Sequence, residues 1–298
     1  MLPAKRAIPS TRKNTRIETH GMEPLKPTQA EPYTALAYVY DEVMKDVSYA
    51  AWTEYIDRII QLHHPEAVDL MELACGTGTM AVEMSHLDDY RILATDQSAQ
   101  MIEMARKKAA RFGAVVEFDV MDFLDLRVER CFDVVYMVFD SINYLHEEEK
   151  IERLHSNVFS HLRPGGLFVF DFTTPRNSLK AIRYLDKMSG QSGSWHYERS
   201  SRYDAEERVH VNEFVITKGA TGVEGDVSRA GESPVRFEEE HRQKIYTLNE
   251  MLSLSSTTSF SLLGAYDGFT LEPAGQKSLR VTMVLQRPLL QRPLLQQP

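Results

Sequence analysis

Between residues 68 and 173, short apolar runs alternate with segments whose apolar positions recur every three to four residues, so strands and amphipathic helices take turns. The spacing predicts helices over 34–47 and 50–62, a buried strand Val68–Ala74, and a helix from about Thr79. A second strand, Arg91–Asp96, leads into a helix Ala99–Phe112 closed by Gly113, the residue type that most easily ends a helix in the left-handed conformation. Strands Val115–Val120 and Phe132–Phe139 follow, then a helix near 147–162 with Ile151, Leu154, Val158 and Leu162 on one stripe. Arg163-Pro-Gly-Gly166 predicts a turn and Leu167–Thr173 a fifth strand. Alternation of this kind implies a parallel sheet with helices on both faces.

The rhythm changes after Thr173. Segments 194–204, 207–217 and 234–247 predict strands, the middle one imperfectly patterned, and their short connections imply antiparallel pairing. A helix near 248–256 and two strands, Phe260–Tyr266 and Leu279–Gln286, complete the pattern. The expectation is one α/β domain over 31–175 and 248–287, with a β-rich lid or substrate subdomain over 176–247 inserted after the fifth strand. Residues 1–30 are rich in Pro, Thr, Lys and Arg and lack an apolar period, which predicts a disordered leader. At the other end Arg287-Pro-Leu-Leu-Gln291 is repeated at once as Arg292-Pro-Leu-Leu-Gln296, and prolines at that spacing predict a flexible tail over 288–298.

Composition narrows the partners. The 298 residues are 43% hydrophobic and 26% charged, an ordinary globular balance, with a mean hydropathy of −0.35. The longest apolar runs are strand-sized, well short of the roughly 18 residues that span a bilayer, so a cytoplasmic protein without membrane contact is expected. The leader holds six basic residues against two acids, so of the net −9 it carries +4 and the rest of the chain −13. An acidic body repels a phosphate backbone, which disfavours nucleic acid. Basic, acid-free residues 1–17 fit either an organelle transit segment or an extended start with initiation at Met22, and the lack of an apolar stretch excludes a secretory signal. Two cysteines, Cys75 and Cys131, without a CxxC pair fit a reducing compartment, and His63, His64, His146, His155 and His161 lack metal-ligand spacing, so no metal is expected. A homodimer is compatible with the sequence.

The chemistry concentrates in Glu72-Leu-Ala-Cys-Gly-Thr-Gly-Thr79, which leaves a strand and enters a helix. Gly76 and Gly78 would let the backbone turn sharply and approach a ligand, at the strand ends where open α/β sheets bind ligands. Gly76-x-Gly78-x-x-Ala81 also satisfies a dinucleotide fingerprint, so an NAD enzyme enters the comparison. Glu72 could bind an amino group but would repel a pyrophosphate. Asp96 could accept two ribose hydroxyls, or merely cap the next helix. Asp122 between Met121 and Phe123 could bond an adenine amino group while the apolar neighbours sandwich its ring, or simply sit in a turn.

This arrangement resembles the class I S-adenosylmethionine (SAM)-dependent methyltransferases over roughly residues 33–286. Tyr33 with Ala37-Tyr-Val-Tyr-Asp41, Phe139-Asp-Ser-Ile-Asn-Tyr-Leu145 and Glu239-Glu-His-Arg242 are similar to a bacterial small-molecule branch that includes sugar N,N-dimethyltransferases. The resemblance implies a Rossmann-like sheet of seven strands in the order 3-2-1-4-5-7-6, strand 7 antiparallel, with a lid after strand 5. It implies SAM as cofactor, held by Tyr33, Glu72, Ala74, Gly76, Gly78, Asp96, Gln97, Met101, Met121, Asp122, Phe123 and Phe139. It also implies a small-molecule acceptor, an amine or a hydroxyl, with Tyr144 facing it. Asp140 could take the amine proton or hold a cationic substrate, or be a surface acid; Tyr33 could lie over the sulfonium or pack on the core. Tyrosine is a poor base at neutral pH, with a pKa of about 10. His241 could face the acceptor, or the lid strand could simply hold a salt-bridge cluster of Glu238–Glu240 with Arg242. The rivals are an NAD-linked oxidoreductase and a SAM-binding protein without catalysis.

Overall fold

The computed structural model describes residues 27–87, 90–219 and 234–289. After β1 (Thr28–Gln29) and a 3-10 turn at Leu36–Tyr38 come α1 (Tyr40–Val43), α2 (Tyr49–His63), β2 (Asp69–Leu73), α3 (Thr79–Met84) and β3 (Arg91–Asp96). Then follow α4 (Ala99–Phe112), β4 (Glu117–Val120), β5 (Phe132–Met137), a 3-10 turn at Ser141–Tyr144, α5 (Glu148–His161), β6 (Leu162–Thr173) and α6 (Pro175–Leu185). The chain continues through β7 (Met188–Ser192), β8 (Trp195–Asp204), β9 (Val209–Lys218), β10 (Val235–Lys244), α7 (Leu248–Ser256), β11 (Ser261–Asp267) and β12 (Arg280–Gln286).

Seven strands form a mixed sheet in the order β11-β12-β6-β5-β2-β3-β4. β12 runs antiparallel to both neighbours and the other pairs are parallel. Continuous apolar strands arise because both faces are buried. Met71 and Leu73, Val135 and Met137, Phe168 and Phe170 point to the face covered by α5 and α7. Leu70, Val134, Tyr136, Leu167 and Val169 point to the face covered by α2, α3 and α4. Each fully buried Leu, Ile or Phe contributes about 1.5–3 kcal/mol relative to exposure, so a slip by one residue would reverse every strand's packing.

The second sheet, β1-β10-β9-β8-β7, is built from residues between β6 and α7 with β1 added on its edge. One sequence boundary moves here: the leader expected through residue 30 contributes β1, which pairs in parallel with β10 through Thr28↔Phe237 and Gln29↔Glu238. An edge strand's unpaired backbone groups recruit it. Residues 1–26 and 290–298, with most of the expected leader and tail, lie outside the described residues.

Three expectations are corrected. Segment 34–47 is not a continuous helix: the 3-10 turn breaks at Val39 (φ −120°, ψ 0°) and α1 ends at Val43, while the Glu239 carboxylate accepts from the Tyr33, Ala35 and Leu36 N–H groups (2.8, 2.5 and 3.0 Å). The stretch after Thr173 opens with α6, capped by the Thr174 side chain with Pro175 in its first turn, before β7 begins. Arg163-Pro-Gly-Gly166 is a bulge rather than a free turn: β6 already pairs at Leu162↔Phe132, and the register resumes at Leu167↔Val134.

Candidate functional site

β2 lies where the sheet order reverses, with β5 on one side and β3 on the other. Ligands of open α/β sheets bind at such a switch point, beyond the carboxyl ends of the strands. The loop leaving β2 has left-handed backbone at Ala74, Gly76 and Gly78 (φ 53°, 54° and 74°). It is pinned from β3: Asp96 Oδ2 accepts from the Gly76 N–H and Oδ1 from the Ser98 N–H, both at 2.9 Å. From outside, Lys108 Nζ donates to Thr77 Oγ1 and to Asp41 Oδ1, each at 2.8 Å. Three elements, β3, α4 and α1, therefore hold the loop before any ligand arrives.

Most of the expected cofactor residues line one cleft over this loop. Ala74, Gly76, Asp96 and Gln97 form its floor. Met101, Phe123 and Phe139 supply apolar walls, and Tyr33 and Tyr144 close the far side. Tyr40 and Tyr49 line it too, and were not singled out from sequence. Burial pushes the Asp96 carboxyl up from its usual range, opposed by its two backbone N–H donors.

Four expected cofactor residues lie elsewhere. Gly78 faces away from the cleft: a Cβ there would lie 2.8 Å from Ala105 Cβ and 2.9 Å from the Phe118 ring, so its small size serves the packing of loop on helix. Glu72 is buried beneath the loop, where Oε2 accepts from the Tyr136 hydroxyl at 3.1 Å. Burial lifts its pKa to about 8. Asp122 Oδ1 accepts from the Leu124 N–H at 2.8 Å. Met121 packs against the core on the α5 side.

A second cavity of about 540 Å³ adjoins the cleft, and Tyr33, Tyr40, Phe139 and Tyr144 belong to both. Its sheet wall is the inner face of β8–β10, where Arg199, Asn212, His241 and Gln243 point inward. Across the shared wall runs a chain of hydrogen bonds. The Tyr33 and Tyr144 hydroxyls are 2.6 Å apart, Tyr144 Oη is 3.0 Å from His241 Nδ1, and His241 Nε2 is 3.2 Å from Glu239 Oε2. His241 and Glu239 are both buried. An imidazole facing a carboxylate carries its proton on that side, so Nδ1 accepts from Tyr144 and Tyr33 donates to Tyr144. Burial raises both tyrosines far above the ordinary phenol range, which keeps them protonated.

Asp140 lines the second cavity but is not a free base. Arg280 bridges it at 2.5 Å and also pairs with the buried Asp171. Gln243 Nε2 donates to Asp140 Oδ2 at 3.2 Å. Two consecutive left-handed residues, Phe139 and Asp140 (φ 62° and 52°), turn the backbone between cleft and cavity. Such conformations cost about 1–3 kcal/mol each and persist where the surroundings hold them. Among the described residues no group of His, Cys, Asp or Glu could hold a metal, and no helix is long and apolar enough to cross a membrane.

Residues 70–166 match a family model described as a methyltransferase domain. A Geobacillus sp. (strain WCH70) protein with a provisional methyltransferase name is 25% identical over 256 residues, covering 86% of this chain and 99% of that one. The dTDP-3-amino-3,4,6-trideoxy-alpha-D-glucopyranose N,N-dimethyltransferase of Streptomyces venezuelae is 30% identical over 128 residues, 41% of this chain and 50% of that one. A SAM-dependent methyltransferase structure from Clostridium acetobutylicum ATCC 824 superposes with a TM-score of 0.67 at 21% identity, covering 85% of this chain and 98% of that one, a likeness of fold. The NAD-linked alternative is not favoured by these matches. With a mixed seven-stranded Rossmann-like sheet and a cleft at its switch point, the chain carries a methyltransferase domain over residues 70–166 and is similar in fold to SAM-dependent methyltransferases.

Proposed function

We propose that the chain transfers the SAM methyl group to an amine nitrogen of a small-molecule acceptor held in the 540 Å³ cavity, and that the amine proton leaves through Tyr144 to His241. The observation that carries this reading is the Tyr144 hydroxyl, which stands in the wall shared by cleft and cavity and is bonded to a buried histidine–glutamate pair. The resemblance to an amino-sugar N,N-dimethyltransferase supports an amine over other acceptors.

The cleft residues fit SAM. Each Asp96 oxygen uses one lone pair on a backbone N–H and keeps another for the ribose hydroxyls. Met101 and Phe123 offer apolar surface to the adenine, and Ala74 and Gly76 bring bare backbone to the methionine end. SAM supplies an electrophilic methyl on a sulfonium, so the protein's part is orientation, water exclusion and proton removal. The acceptor nitrogen forms the new bond to carbon as the carbon–sulfur bond breaks, and the resulting ammonium must shed a proton. Tyr144 accepts it while passing its own proton to His241 Nδ1, and Glu239 stabilises the imidazolium. A phenolate is never required. In this reading the second sheet is the lid, and the main sheet is the 3-2-1-4-5-7-6 arrangement with strand 7 antiparallel.

The test is turnover to S-adenosylhomocysteine over a panel of amino sugars, amines and hydroxylated metabolites. His241→Gln should lower kcat by about a hundredfold, a typical contribution of acid–base catalysis, while SAM affinity stays within twofold. Undiminished kcat, or methylation of hydroxyl acceptors alone, refutes the proposal.

A further inference from the structure

We infer that the acceptor carries an anionic group, a carboxylate or a phosphate, which Arg199 receives at the sheet wall of the cavity. This inference rests on the methyl-transfer reading above and adds a substrate class to it.

The inner face of the second sheet places Arg199, Phe214 and Glu239 in one row across β8, β9 and β10. The Arg199 guanidinium lies 5.3 Å from the centre of the Phe214 ring, which fixes its plane. Its Nε and Nη2 both donate to one oxygen, Asn212 Oδ1, at 3.1 and 2.7 Å. A guanidinium has five N–H donors, so both Nη1 hydrogens and one on Nη2 find no acceptor among the described residues. No carboxylate lies within ion-pair distance of it there, whereas Arg202, on the outer face of the same strand, bridges Glu213 and Glu240. The inner acid, Glu239, is taken by His241 and three backbone N–H groups, and the inner cation is left single. Holding a cation away from water without a counter-ion is costly, and the cost falls when an anion arrives.

The same cavity also holds an excess of acid. Asp140 and Asp171 share one guanidinium, Arg280, which leaves an excess of one negative charge beside Tyr144. His210, on the same face, is held neutral: burial and then the Arg199 charge push its pKa down to about 4. Arg199 thus offers free donors to a carboxylate or phosphate in the cavity, and the acid excess beside Tyr144 suits the ammonium that an acceptor amine becomes on methylation.

The experiment titrates full-length protein saturated with S-adenosylhomocysteine, using succinate in one arm and inorganic pyrophosphate in the other, followed by calorimetry. Wild type should bind one of them, and which one tells carboxylate from phosphate. Arg199→Met should weaken that binding at least tenfold, Arg199→Lys less, and Arg202→Met by under twofold. S-adenosylhomocysteine affinity and melting temperature are measured on the same samples, and the lysine variant serves if the methionine variant does not fold. Failure of both anions to bind wild type, or Arg199→Met binding within twofold, overturns the inference. Loss of S-adenosylhomocysteine binding by wild type would instead overturn the methyl-transfer reading.

Discussion

Glu239 holds the cover of the cofactor cleft, and its removal should free that cover without dismantling the main sheet. Oε1 accepts from the Ala35 and Leu36 N–H groups, and Oε2 from the Tyr33 N–H and from His241 Nε2. All four partners are buried or half-buried, and Glu239 itself is 1% exposed. In Glu239→Ala three backbone donors lose their acceptor, and each buried orphan costs about 1–3 kcal/mol. Their sum is at least roughly 3 kcal/mol for opening residues 33–36, and since about 1.4 kcal/mol is a factor of ten, amide exchange there should quicken at least a hundredfold. Glu239→Gln should be intermediate. Its amide oxygen can serve Ala35 and Leu36, but its NH₂ then faces two donors, Tyr33 N–H and His241 Nε2–H. Hydrogen exchange read by mass spectrometry on peptides spanning 31–40, with β6 peptides as internal control, measures the effect. If those peptides exchange within threefold of wild type in a folded Glu239→Ala protein, the carboxylate is not what holds the segment.

Two further predictions concern the loop. Asp96→Ala should weaken SAM binding at least tenfold by calorimetry while the protein stays folded, since charge-assisted bonds contribute about 1.5–3 kcal/mol each; binding within twofold of wild type would remove Asp96 from the ribose site. Glu72, whose folded pKa is raised by burial from 4.5 to about 8, should make stability fall with rising pH across that window. The unfolded chain there holds fewer protons than the folded one, so the slope is negative. Glu72→Gln should flatten it, gaining stability over wild type as pH rises from 5 to 8, and parallel melting curves for the two proteins would contradict the buried-acid assignment.

What the sequence disclosed followed from how each segment is buried. The five strands of the parallel region and helices such as Ala99–Phe112 are decided by local signals, with Ser98 and Gly113 capping that helix at its two ends. The glycine loop and Asp96 were visible for the same reason, because a strand, a tight turn and a helix follow one another directly. α6 had a signal that was overlooked, Thr174-Pro175 at its start. Segment 34–43 had none: its start is held by Glu239, some two hundred residues away, and no local pattern encodes a carboxylate that waits for it. The two glycines of the loop show a related limit. Sequence assigned both to the ligand, but Gly76 faces the cleft while Gly78 lets the loop pack on α4 and β4.

The middle strand of the second sheet shows why irregular pattern coincides with function. A strand that covers a hydrophobic core alternates apolar and polar residues, and β9 departs from this: His210 and Asn212 share the inward face with Phe214 and Ile216. Its neighbours do the same, with Arg199 and Ser201 on β8 and Glu239, His241 and Gln243 on β10. Were this face packed against a core, each of those groups would pay its desolvation without a partner. They are tolerated because the face is apolar only at one end, where Tyr197, Phe214 and Ile216 meet Leu36 and Val39, and becomes the wall of a cavity beyond it. There the polar groups satisfy one another in short chains, Ser201 with His210 and Asn212, Tyr144 with His241 and Glu239. The broken alternation is therefore the trace left in the sequence by a buried polar site, and the group least satisfied within it, Arg199, is where an acceptor's charge is to be sought.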